Sequence, residues 1–231
     1  MLNKFNQILL SSHVVEEFNL ALSDPAFIKF LQTNIPEILL CKDNKQNNPW
    51  HIYDILNHIL HSVEEINKQT IDLDKDTQKF LAYTMFFHDI GKPECKTTEV
   101  KNGVKRDRFF GHNIASEKIT KRRIKNFGFN TDDAKIIAIL VRKHDDFMAL
   151  YDSYLHAKDN SKVIPKFLRK EIADLDKLGN GTTLMSYLIM VGIADRKSQN
   201  PAMVDKGLKL LAECQVTLND KFFMPQQKKN I

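Results

Sequence analysis

The chain has 231 residues, enough to bury a core as one large domain or as one domain with a small helical attachment. Hydrophobic residues make up 42% and glycine only 8 positions, which favours long helices; the net charge of +5 favours anionic partners such as phosphates without by itself marking a nucleic-acid binder. No apolar run approaches the roughly 18 residues of a membrane span, the opening residues form no secretory apolar region, and Cys41, Cys95 and Cys214 contain no C-x-x-C pair, so a soluble, cytoplasmic chain with reduced thiols and no membrane partner is expected.

In chain order, Ser12 is expected to cap a helix through Val14, Val15, Phe18 and Leu22, with Glu16 and Glu17 favoured by the dipole of its first turn. Asp24-Pro25 reads as an N-cap and N1 proline for Phe27, Ile28, Phe30 and Leu31. From Trp50, the residues Ile52, Ile55, Leu56, Ile59, Leu60, Val63 and Ile66 recur mostly at spacings of three and four, one apolar helix face. Asp76 is expected to open the next helix, through Phe80, Leu81, Tyr83, Thr84 and Phe87, which Gly91 and Pro93 stop. Asn102-Gly103 centres a small basic β-hairpin or flap near 98–109. Helices resume at 113–126, 131–143 and 162–178, then from Thr182 through Ala194, and from Asn200-Pro201 to about Cys214. The expected whole is all-α: an N-terminal helical extension, 1–46, packed on the same core as a main domain, 47–218, followed by a polar tail, 219–231, that frays.

The histidines divide by their surroundings. His88-Asp89-Ile90-Gly91-Lys92 closes an otherwise apolar helix, placing imidazole, carboxylate and ammonium at the lip of a core where polar groups need partners. A divalent cation would satisfy the first two together. Asp195 interrupts the apolar run 188–194 in the same way. His51, Asp54, His58 and His61 are spaced three, four and three apart, one polar helix face, for which plain solvation is the competing reading.

The ordered set His58, His88-Asp89 and Asp195 resembles the HD superfamily of metal-dependent phosphohydrolases. The likeness is nearest to the C-terminal HD portion of bacterial tRNA nucleotidyltransferases, through Asn48-Pro49-Trp50-His51, Phe87 to Pro93, Phe110-Gly111-His112, Val141 to His144 and Ala194-Asp195. The nucleotidyltransferase domain itself has no counterpart, so CCA addition is not implied, and Asn113 stands where such enzymes often carry an acidic residue.

The resemblance implies an HD helical bundle and an enzyme that hydrolyses a phosphomonoester or phosphodiester with metal-activated water, acting on a nucleotide, a 2′,3′-cyclic phosphate or an RNA end. His58, His88, Asp89 and Asp195 would hold a divalent ion (Mn, Ni, Co, Fe, Mg or Zn). His112 and His144 either complete a second site bridged by Asp89 or face the substrate as phosphate contacts or proton donors. Lys92 would bind phosphate oxygens, or else only complement a helix dipole. Arg106, Arg108 and Arg142 could hold a polyanion, and Lys118, Lys121, Arg122, Arg123 and Lys125 an RNA backbone, the competing reading for each being a solvated charge. A metal-retaining module that binds RNA or a partner without catalysis is the alternative of a different class.

Overall fold

In the computed structural model, which describes residues 1–157 and 159–223, helices dominate and short polar side chains set where half of them begin. α1 (Leu2–Leu9) and α2 (Val14–Ala21) open the chain, and Asp24 caps α3 (Pro25–Asn34) by accepting from the Ala26 amide. Asp54 caps α4 (Ile55–Gln69) and Asp74 caps α5 (Lys75–Phe87). Asn130, Asn180 and Asn200 do the same for α8 (Thr131–Lys143), α11 (Gly181–Lys197) and α12 (Pro201–Leu218). Between them lie the single turn α6 (Lys92–Cys95), α7 (His112–Arg123), α9 (Asp146–His156) and α10 (Val163–Leu175).

Three expected starts move. Ser12 does not cap α2; His13 holds that position, and the neighbouring Ser11 hydroxyl accepts from the His13 amide. α4 begins at Ile55 rather than Trp50, because Asp54 turns the chain into the helix, and Trp50 and Ile52 remain exposed outside it. Asp74, not Asp76, caps α5. α12 runs four residues beyond Cys214, to Leu218, and Asn219–Phe223 continue as a π-type turn, while 224–231 lie outside the described residues. The three cysteines are unpaired, and no described helix is long and apolar enough to cross a membrane.

One buried cluster joins the segments 1–46 and 47–218. Its centre is aromatic: the Phe5 ring lies 5.3 Å from Phe86 and 5.2 Å from Phe127, and Tyr83 Oη donates to Asn6 Oδ1 at 2.5 Å. Burying each such ring contributes roughly 1.5–3 kcal/mol, so the first three helices share the core that carries the C-terminal end of α5.

The only strands among the described residues are β1 (Thr97–Lys101) and β2 (Val104–Arg108), paired antiparallel around Asn102 and Gly103, whose φ of 53° and 75° suit the expected turn. Asp107 knots this hairpin to the loop that leads to His51. Its carboxylate accepts from the Asn47 amide and side chain, both at 2.9 Å, and from Thr98 Oγ1 at 2.7 Å, and it pairs with Lys96 Nζ at 3.1 Å. Burial raises its pKa, but these donors outweigh burial and hold it below the usual 3.8. A depressed carboxyl contributes stability that is present above its unfolded pKa and is lost as pH falls through the folded value. Hairpin amides should therefore exchange slowly at neutral pH and lose protection only as pH falls below about 4. Asp107→Ala should cost about 1–3 kcal/mol at neutral pH and remove that acid transition; unchanged amide protection in the variant would dismiss the knot.

Candidate metal centre

Five elements bring the polar cluster together. His58 lies on the second turn of α4, His88 directly follows α5, His112 opens α7, His144 follows α8, and Asp195 lies near the C-terminal end of α11. α7 reaches the His88-Asp89 turn because Gly91 has no side chain. A Cβ there would stand 2.5 Å from the Ser116 amide nitrogen and 2.7 Å from Ala115 Cβ, and the Gly91 amide itself donates to Ser116 Oγ at 2.9 Å.

Three of the histidines share one local device. Nδ1 of His88, His112 and His144 donates to the carbonyl three residues earlier, Met85 O at 2.6 Å, Phe109 O at 2.9 Å and Val141 O at 2.6 Å. At α8 this satisfies a carbonyl that the helix end leaves without a backbone partner, and at α5 it adds a second donor to Met85 O, which also accepts from the His88 amide at 3.4 Å. His58 Nδ1 faces Ser198 Oγ at 3.1 Å, and Ser198 Oγ in turn donates to Asp195 O at 2.7 Å. With Nδ1 so engaged, the Nε2 lone pairs all turn inward, the arrangement by which outer hydrogen bonds orient metal-binding imidazoles.

The inward atoms meet at Asp89. Its Oδ2 lies 3.0 Å from His58 Nε2 and 3.2 Å from His88 Nε2; its Oδ1 lies 3.2 Å from His112 Nε2 and 3.6 Å from His144 Nε2. Asp195 Oδ1 is 3.1 Å from His58 Nε2 and 3.6 Å from His88 Nε2. Two groups result, His58 with His88, Asp89 and Asp195, and Asp89 with His112 and His144, the atoms of each within 4.8 Å of one another. The paired Nε2 atoms, 3.3 Å apart in the first group and 3.2 Å in the second, cannot face one another as lone pairs without a cation, proton or metal, among them.

The electrostatics agree. Burial lowers the His88 pKa and favours the neutral ring, but Asp89 and Asp195 outweigh burial and push His88 up to about 10; Asp145 and Asp89 likewise push up the buried His144. Burial raises Asp89 and Asp195, yet Lys92 and His88 hold the first, and His58 and His88 the second, well below the carboxylate range. Asp89 Oδ1, fully buried, has no hydrogen-bond partner. An orphaned carboxylate oxygen, two buried carboxylates and converging imidazoles form a donor set suited to a divalent ion.

The expected cations are distributed differently. Lys92 is buried and its three protons have partners within the protein: Asp89 Oδ2 at 2.6 Å, Gln46 Oε1 at 2.9 Å and His51 Nε2 at 3.2 Å. Arg142 pairs with Glu117, which also binds Lys121, and Arg122 and Arg123 pair with Glu37. Acids thus neutralise much of the basic face of α7. Arg108 lines the cleft over the site but pairs with Glu99 at 2.7 Å; Arg106 is exposed on the hairpin and does not line it. Lys118 and Lys125 are exposed.

His51 is not on a shared helix face with His58; it sits in the loop before α4 yet stands against the site, its ring 5.1 Å from that of His58. Its Nδ1 donates to Asn48 Oδ1 at 2.8 Å, and burial, then Lys92 and His58, push it down to about 2, so it stays neutral and accepts from Lys92. His61 stacks on Tyr53 instead. Asp145, which the motif order did not single out, is 38% exposed and places Oδ2 3.3 Å from His112 Nε2; only its adjacency to His144 marked it.

The cleft over these groups is open, about 300 Å³, and Trp50, Phe109, Phe110, Met148, Arg196 and Gln199 complete its walls. No family model matches the chain, and no curated protein matches it significantly.

Proposed function

We propose that the protein is a metal-dependent phosphohydrolase of the HD type that cleaves a phosphate ester with activated water, its substrate a nucleotide, a 2′,3′-cyclic phosphate or an RNA end. The observation that carries this reading is the convergence of four imidazole Nε2 atoms on one buried carboxylate, Asp89, at the floor of an open cleft. His58, His88, Asp89 and Asp195 would hold one divalent ion, and Asp89, His112 and His144 a second. Such ions supply Lewis-acid polarisation of the phosphate and a lowered pKa for water.

The chain's own groups do the rest. Lys92 keeps the shared carboxylate ionised and oriented, with Gln46 and His51 fixing the ammonium in turn. Asp145, facing the cleft beside His112, is placed to accept a proton from water. Phe110, 80% exposed, and Trp50, 38% exposed, offer ring faces at the cleft mouth, where stacking of a nucleobase is worth about 1–3 kcal/mol. This favours a nucleotide over a bare sugar phosphate.

The test is metal analysis of the purified protein followed by a panel of phosphomonoesters and phosphodiesters with Mn²⁺, Ni²⁺, Co²⁺ and Mg²⁺. Turnover that a chelator abolishes and metal restores is the expected result. Bound metal with no turnover on any ester would replace the enzyme by a metal-retaining binding module.

A further inference from the structure

The cations that line the cleft are Lys92, Arg108 and Arg196, and the first two are committed to Asp89 and Glu99. Arg196 is different. Among the described residues no carboxylate lies within ion-pair reach of it; its guanidinium donates through Nη1 to the neutral Gln199 Oε1 at 3.3 Å, and Nη2 stands against the Met148 side chain. A half-buried guanidinium held by one neutral amide oxygen retains most of its charge and most of its donors for a ligand.

Its place in the fold ties it to the cluster. Arg196 follows Asp195 on α11, and Gln199 Nε2 donates to both carboxylate oxygens of Asp195 at 3.2 Å. The same Gln199 side chain therefore braces Arg196 through its oxygen and Asp195 through its nitrogen. Gly207 on α12 gives the guanidinium room: a Cβ there would stand 3.3 Å from Arg196 Nε.

The geometry points to Arg196 as the residue that grips the phosphate of the substrate, a role the basic residues of the hairpin and of α7 and α8 do not fill; this assignment rests on the phosphohydrolase reading. The guanidinium presents a planar fork to non-bridging phosphate oxygens, and the Gln199 brace holds that fork at a fixed position relative to Asp195.

Calorimetric titration of the Mn²⁺-loaded protein with inorganic phosphate tests it. Arg196→Gln should weaken phosphate binding ~10-fold to ~100-fold, as loss of a charge-assisted hydrogen bond does, and Arg196→Lys should recover part of the loss, with metal content and melting temperature unchanged in both. On whichever p-nitrophenyl phosphate mono- or diester the wild type hydrolyses, KM should rise more than kcat falls. Wild-type phosphate affinity in Arg196→Gln would overturn the assignment while leaving the phosphohydrolase reading intact; loss of metal or of thermal stability would overturn it in favour of a purely structural brace on Asp195. A wild type that hydrolyses no ester would defeat the phosphohydrolase reading, and one that binds no phosphate would defeat the role of Arg196.

Discussion

Asp89→Ala should lose metal from both groups at once and with it at least ~10³-fold in turnover, the loss expected when several kcal/mol of Lewis-acid stabilisation disappear. Each group relies on a different oxygen of this one carboxylate: Oδ2 faces His58 and His88, and Oδ1 faces His112 and His144. Removing it leaves the second group with two neutral imidazoles and the first with a single carboxylate, Asp195, against a dication. It also strands the buried Lys92 ammonium, which costs stability of its own, about 3–5 kcal/mol when one partner of a buried pair is removed. Asp89→Asn separates the two effects, because its amide oxygen still accepts from Lys92. A folded Asp89→Asn protein with full metal content, measured by plasma emission, would refute the centre.

The His112→Ala, His144→Ala double variant should bring metal stoichiometry from about two to about one. Both rings commit the Nδ1 proton to a backbone carbonyl, so in the neutral form Nε2 is a lone pair facing Asp89, as a ligand requires. Ligation requires the neutral ring, so second-site occupancy should fail as pH drops. Had the histidines been proton donors, stoichiometry would hold while the rate fell by about 10² to 10⁴. Full stoichiometry and full rate together would exclude both roles.

What was legible in the residues is the framework. Asp24-Pro25, the Asn102-Gly103 turn and the span of α8 follow from local chemistry alone, whereas the meeting of His58, His88-Asp89 and Asp195 is expected only through the resemblance to HD phosphohydrolases. α9 carries little periodic signal because only Phe147 and Leu150 among its residues are buried. In α1, Phe5, Ile8 and Leu9 form a broken apolar stretch in the sequence, and the aromatic cluster of α5 supplies their partner only in the folded chain. The partners of cations were the least legible. Glu117 is 25 residues from Arg142, and Gln46 is 46 from Lys92, and no local pattern links either pair. His51 reads as solvated helix surface only if the helix extends back to Trp50; because Asp54 starts α4, the loop turns the ring inward.

The Asp107 knot has a consequence for recognition. Because one carboxylate ties β2 to the 46–48 loop, the wall bearing Arg108 and the approach to Trp50 and His51 is assembled before any ligand arrives, rather than hung from two independent arms. Ordering a loop or a rotamer-rich side chain on binding costs about 0.5–1.5 kcal/mol for each side chain immobilised. A rim already stitched together avoids much of that entropy loss, and it leaves one opening of fixed shape between this wall and the Met148 and Arg196 side for any ligand to enter.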